Sequence, residues 1–106
     1  MRIVFMGNPN FSLPALEKVI ESNHELISVV SNPPKRMGRG KNKKYTPVGE
    51  YAKRKKIPLL SPERLNSKSF SEKLKALQPD LFVVVAYKIL PKSLIEIPKY
   101  GSVNLH

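Results

Sequence analysis

The sequence contains no cysteine. A disulfide framework and a thiolate metal site are both excluded, and the composition suits a reducing compartment. It has no apolar run of the length needed to cross a bilayer. The apolar start at residues 1–6 is too short for a signal-peptide core. A soluble cytoplasmic protein with no membrane contact is the expectation. Acid is scarce: eight Asp and Glu stand against nineteen Lys and Arg, for a net charge of +11. Asp80 is the sole aspartate. Such an imbalance favours a polyanionic partner, nucleic acid before an anionic membrane, unless the charge is only a solvated face. The three-glycine turn of dinucleotide-binding domains is missing too. Gly7-Asn8-Pro9-Asn10-Phe11 follows the first apolar run, and Pro9 has no N–H to give a phosphate, so nicotinamide binding is disfavoured. No P-loop is present: Gly38-Arg39-Gly40-Lys41 follows no strand and opens no helix. Internal repeats and low-complexity segments are absent, and no residue cluster suggests a metal site.

What is present is an alternation of strands and helices. Residues 2–6 form a short apolar, β-branched run that ends at Gly7 and reads as a buried strand. Gly7 to Asn10 reads as a turn. Ser12 is placed to cap a following helix, with Pro14 tolerated in its first turn. Leu13, Leu16 and Ile20 share one face of that helix. Residues 25–31 read as a second strand and 58–60 as a brief third. Residues 32–46 lack apolar periodicity and read as an exposed loop. Residues 47–56 read as a short basic helix. In residues 67–77, Phe70, Leu74 and Leu77 form an amphipathic stripe, ended by Pro79-Asp80. Residues 81–86 make the most continuous apolar run, as expected of a strand covered on both faces. A short helix over 92–97 and a strand over 102–105 complete the pattern.

This alternation predicts an α/β fold, a Rossmann-like doubly wound parallel sheet. Ligands of such sheets bind beyond the carboxyl ends of the strands, where strand order reverses. With the order 3-2-1-4-5, that crevice lies between the first and fourth strands. Residues 7–11 and 86–91 then border it, with residues 104–106 alongside.

Two groups of side chains carry chemistry. Asn104 and His106 lie two apart on a strand and so share a face. An amide that donates to a carbonyl oxygen, beside an imidazole that donates or moves a proton, suits acyl transfer. A structural or accidental placement is the alternative. Arg39, Lys41, Lys43 and Lys44 crowd a glycine-flanked loop next to Tyr45. Such a loop can follow a phosphate backbone while the ring stacks on a base, or it can simply be solvated. His24, in a connection, reads as a solvated turn residue.

The segments taken together resemble the methionyl-tRNA formyltransferase family. The likeness is carried by Met1-Arg2-Ile3-Val4-Phe5-Met6-Gly7 with Pro9 and Phe11, then by Gly38-Arg39-Gly40-Lys41 and Thr46-Pro47-Val48. It continues through Ile57-Pro58, Pro79-Asp80-Leu81, Val84-Val85-Ala86-Tyr87 and Ile89-Leu90-Pro91, and ends with Tyr100-Gly101-Ser102-Val103-Asn104-Leu105-His106. The resemblance implies transfer of a formyl group from 10-formyltetrahydrofolate to the α-amine of methionyl initiator tRNA. By the same resemblance Asn104 would bind the formyl oxygen and His106 would stabilise the tetrahedral intermediate. The backbone at Tyr87, Ile89 and Leu90 would meet the pterin ring. Arg39 would lie in the loop the family uses near the tRNA acceptor end, and Lys41, Lys43 and Lys44 of the same basic loop are the further candidate tRNA contacts. Lys88 stands where the family usually has glycine, and the loop before Ile89 is one residue short. Family members continue past the last histidine with a Ser-Leu-Leu-Pro loop, a catalytic aspartate, further strands and a C-terminal β-barrel. The chain is therefore expected to be the N-terminal part of such an enzyme, inactive alone. A formyltransferase acting on glycinamide ribonucleotide or a sugar amine, and a non-catalytic basic tRNA-binding remnant, are the competing expectations.

Overall fold

The computed structural model describes residues 1–36 and 42–105. Seven strands and four α-helices follow one another in the order β1 (Arg2–Gly7), α1 (Leu13–Glu21), β2 (Glu25–Val30), β3 (Lys35–Arg36), β4 (Lys43–Lys44), α2 (Pro47–Arg54), β5 (Leu59–Leu60), α3 (Lys68–Ala76), β6 (Leu81–Val85), α4 (Lys92–Ile95) and β7 (Ser102–Leu105). Five strands form one sheet in the order β5-β2-β1-β6-β7, and every neighbouring pair in it is parallel. This is the expected doubly wound arrangement, with strand order reversing at β1.

Strand β1 is apolar and buried from Ile3 to Met6 because it is central. Ile3 and Phe5 face one layer, and Val4 and Met6 face the other. Leu16 of α1 with Val48 and Ala52 of α2 covers the first face. Phe70 and Leu74 of α3 with Leu94 of α4 cover the second. Phe5, Phe82, Met6, Leu16 and Leu74 are fully buried, and each such side chain contributes about 1.5–3 kcal/mol relative to exposure. Ile20 departs from the expected stripe and stays 41% exposed.

One helix start differs from the sequence expectation. Ser12 occupies the position before α1 but makes no capping bond. Its hydroxyl instead donates to the Val85 carbonyl at 2.8 Å, tying α1 to the end of β6. Helices α2 and α3 are capped by Thr46 and Ser67, which accept from Gly49 N and Phe70 N. Both helices then finish on a non-glycine residue in the left-handed region, Lys56 (φ 59°) and Gln78 (φ 51°).

The stretch read as a featureless loop holds a second, two-stranded sheet. Lys35 pairs with Lys44 and Arg36 with Lys43, antiparallel. All four residues are charged and exposed, so no apolar alternation marks them as strand.

At the amino ends of the strands, the Arg2 side chain donates to the Leu77 carbonyl (2.7 Å) and to Glu25 (3.0 Å). Asp80 there accepts from Arg2 N at 2.8 Å. The sole aspartate is thus used at the end of the sheet away from the crevice. His24 is exposed and its Nδ1 lies 2.9 Å from the amino terminus, as suits a turn residue.

Candidate active site

The carboxyl ends of β1, β6 and β7, where the sequence placed the crevice, are marked by close backbone approach. A Cβ on Gly7 would lie 2.6 Å from the Val85 carbonyl oxygen. Glycine is required here by close packing of β1 on β6, where the sequence had suggested a turn. The next residue, Asn8, ties the crevice to the neighbouring elements. Its Oδ1 accepts from Ser31 Oγ and Asn32 N, each at 2.9 Å, and its carbonyl accepts from Val48 N at 3.1 Å. Ser31 also hydrogen-bonds Thr46, the residue that caps α2. One polar knot therefore holds the ends of β1 and β2 and the start of α2. Asn8, Ser31 and Thr46 were not foreseen as a group. Their polar type at three strand or helix ends was the only signal, and sequence separation concealed it.

Beyond β6 the chain turns sharply at Ala86, which has φ 55°. A non-glycine residue in this region stores about 1–3 kcal/mol of strain. The three residues expected at the pterin then diverge. Tyr87 is half-buried against the α3/α4 core, Ile89 is 96% exposed, and Leu90 is buried in that core. The Tyr87 hydroxyl is buried with no hydrogen-bond partner, and burial pushes its pKa up to about 12. The backbone groups of residues 87–90 enter no loop hydrogen bond among the described residues.

Asn104 lies on β7 opposite Val84. Paired residues of a parallel ladder share a face, and Val84 belongs to the α3/α4 side. Asn104 is exposed and projects on the same side of the sheet as Tyr87 and Leu90. His106 lies outside the described residues, as do Arg39 and Lys41. Lys43 and Lys44 are exposed on β4.

Tyr45 does not offer the free ring that the sequence suggested. It packs along α2, where a Cβ on Gly49 would meet its Cβ at 3.2 Å. One turn later Lys53 Nζ sits over the ring, 4.7 Å from its centroid. The ring anchors the base of the basic hairpin to α2 through packing and a cation–π contact.

Among the described residues, no group of three or more His, Cys, Asp or Glu is placed to hold a metal ion. No helix among them is long and apolar enough to cross a membrane.

The whole chain, residues 1–106, matches the family model described as formyl transferase. It is 47% identical to a methionyl-tRNA formyltransferase of Clostridioides difficile (strain 630), covering 100% of this chain and 35% of that protein. It is 46% identical to the methionyl-tRNA formyltransferase of Fusobacterium nucleatum, again over 100% of the chain and 34% of the relative. A third relative of that name, from Bacillus licheniformis, is 45% identical over 99% of the chain and 34% of its own length. The chain thus spans about a third of the length of the curated relatives it matches. A match over every residue, on a parallel sheet of the expected strand order, establishes that the chain belongs to the formyl transferase family.

Proposed function

We propose that this chain supplies the N-terminal part of a methionyl-tRNA formyltransferase. The reaction moves the formyl group of 10-formyltetrahydrofolate to the α-amino group of methionyl initiator tRNA, for translation initiation in the cytoplasm. The observation that carries the reading is the exposed Asn104 amide on the same side of the sheet as the unbonded backbone of residues 87–90.

In this reading residues 87–90 hold the pterin by backbone hydrogen bonds, and the ring lies at the mouth of the crevice. The Asn104 Nδ2–H donates to the formyl oxygen. As the amine attacks the formyl carbon, that oxygen gains negative charge and the bond strengthens, which lowers the barrier. His106 supplies a second polarising group on the same intermediate. Collapse of the intermediate breaks the bond from the formyl carbon to folate N10; N10 takes up a proton as it leaves and the attacking amine gives one up, so no net proton is consumed. The cations Arg39, Lys41, Lys43 and Lys44 meet the phosphates of the acceptor end. In this reading the further walls and groups around the intermediate correspond to the parts of the relatives outside the third that this chain matches.

The test is formyl transfer by a chain extended to the length of the relatives. Transfer from 10-formyltetrahydrofolate to methionyl initiator tRNA is expected. Transfer to a sugar amine or to glycinamide ribonucleotide in its place would overturn the reading.

A further inference from the structure

The Asn8 amide is held in one orientation. Asn32 N reaches it at 2.9 Å, and a backbone N–H can only donate, so the atom that meets it is the amide oxygen. The Ser31 hydroxyl donates to the same oxygen at 2.9 Å, and the Asn8 carbonyl accepts from Val48 N at 3.1 Å. With Oδ1 committed, Nδ2 points away from Ser31 and Asn32. It makes no hydrogen bond among the described residues. Asn8 is half-buried, and its Nδ2, unlike Asn32 Oδ1, is not enclosed. Its N–H donors are therefore open to a ligand in a set direction.

Register places that amide at the strand ends where order reverses. Gly7 pairs with Val85, and Val85 with Leu105. Asn8 and Ala86 are the next residues beyond β1 and β6, so they border the same edge of the sheet. Neighbouring strands lie about 4.8 Å apart, which puts the ends of β1 and β7 about 10 Å from one another. Strand order then says which part of a substrate comes to Asn8. In the proposed reading the formyl group lies over β6 and β7, between residues 87–90 and Asn104. The cations that meet the acceptor-end phosphates lie between β2 and α2. Strand β1 stands between β2 and β6. A substrate that runs from those cations to the formyl carbon crosses the end of β1, and the group it carries just before the attacking amine is the aminoacyl ester.

We infer that Asn8 reads the aminoacyl ester: its Nδ2–H donates to the ester carbonyl oxygen and so aims the neighbouring α-amine at the formyl carbon. The inference rests on the proposed reaction and adds to it the residue that tells charged from uncharged tRNA. A phosphate-binding cation cannot make that distinction, because both forms carry the same phosphates. The ester carbonyl is present before and during transfer. The bond therefore strengthens binding of the ground state and the transition state alike, and its loss appears in KM rather than in kcat.

The test uses a chain extended to the length of the relatives and measures its affinity for methionyl initiator tRNA and for the same tRNA without its amino acid. The parent is expected to bind the charged form more tightly. Asn8→Asp keeps an oxygen for Ser31 and Asn32 but replaces the donor with a second acceptor. It should reduce the preference for charged tRNA roughly tenfold, the size of one hydrogen bond to a carbonyl. It should also raise KM for methionyl-tRNA by a similar factor, with kcat and folate affinity unchanged. Asn8→Ala, which loses the contacts to Ser31 and Asn32 as well, should lower thermal stability and reduce the preference by the same factor. The ratio of the two affinities is independent of the folded fraction and of the added charge, which act on both tRNAs alike. Equal weakening of charged and uncharged tRNA, or a fall in kcat at constant KM, would overturn the inference and leave Asn8 as a brace between β1, β2 and α2. With formyl transfer by the parent intact, that result spares the proposed reaction. A parent that transfers no formyl group to methionyl-tRNA would overturn both.

Discussion

Gly7 and Val85 are packed so closely that a Cβ on the glycine would stand 2.6 Å from the valine carbonyl oxygen. The same oxygen accepts the Ser12 hydroxyl at 2.8 Å. A methyl group at residue 7 must push backbone, since the atom it meets is not the tip of a flexible side chain. Gly7→Ala is expected to destabilise the chain by about 1–3 kcal/mol, the usual cost of overpacking a closed core. Ser12→Ala should cost about 1 kcal/mol through the lost hydrogen bond. Urea unfolding of both variants checks this. Because both substitutions act at one carbonyl oxygen, the double variant should show less than the sum. Additive losses would mean that the contacts act separately.

The buried, unpartnered Tyr87 hydroxyl makes two expectations. Burial holds the phenol neutral, with its pKa raised to about 12. The unfolded chain loses this proton near pH 10, so between pH 10 and 12 the folded state binds more protons than the unfolded one. Stability from this group is therefore fully present below pH 10 and is lost as pH rises toward 12. Tyr87→Phe should remove that alkaline component. At neutral pH it should be neutral or stabilising by up to about 1 kcal/mol, since no hydrogen bond is lost. Thermal unfolding of both proteins from pH 8 to pH 12 measures the difference. An equal alkaline decline in the two would place its origin elsewhere.

Gln78 closes α3 in the left-handed region at φ 51°. A side chain there costs about 1–2 kcal/mol, while glycine adds about 0.5–1 kcal/mol of backbone entropy. Gln78→Gly is expected to raise stability by about 0.5–1 kcal/mol. Gln78→Ala, which keeps the Cβ, should give no gain. The midpoint of urea unfolding separates the two.

These positions also show what the sequence could and could not reveal. The parallel sheet was legible because β1 and β6 are apolar at nearly every position, as only a doubly covered strand is, while the strand order entered as an assumption that the structure matches. The β3–β4 hairpin was hidden, because four exposed basic residues carry no period. Ser12 was legible as a capping type, but the acceptor that takes its hydroxyl lies 73 residues away. The left-handed ends at Lys56 and Gln78 lack the glycine that normally marks them. At the candidate site, Asn104 and the 87–90 loop were proposed from short motifs. The knot of Asn8, Ser31 and Thr46 beside them depends on three segments meeting, which no local pattern records.

The cations Arg39, Lys41, Lys43 and Lys44 should set the salt dependence of RNA binding. Each phosphate contact removed lowers the slope of log affinity against log salt by roughly 0.7–0.9. Lys43→Ala and Lys44→Ala together with Arg39→Ala and Lys41→Ala are expected to flatten that slope by several such steps for tRNA. Tyr45→Ala should weaken binding with less change in slope, because it frees the hairpin base from Lys53 without removing a cation. Tyr45→Phe should restore binding, since the ring suffices for the packing. A slope unchanged in the fourfold variant would reduce these residues to a solvated surface.

Asn104→Ala provides the sharpest separation of chemistry from structure. Asn104 is exposed on the β7 edge strand, and the described structure shows no side-chain hydrogen bond to it. Truncation there opens no cavity and strands no partner, so stability should change by no more than about 0.5 kcal/mol. The amide's proposed bond is to an oxygen whose charge grows only as the formyl carbon becomes tetrahedral. Losing it should therefore spare folate affinity and lower turnover about 10²–10³-fold, or roughly 2.7–4 kcal/mol. His106→Ala acts on the same intermediate, so the double variant should lose less than the product of the two single effects. The measurements are single-turnover formyl transfer, folate binding and thermal unfolding, all on a chain extended to the relatives' length. Turnover within a few-fold of the parent, or a rate loss matched by unfolding, would remove Asn104 from the mechanism.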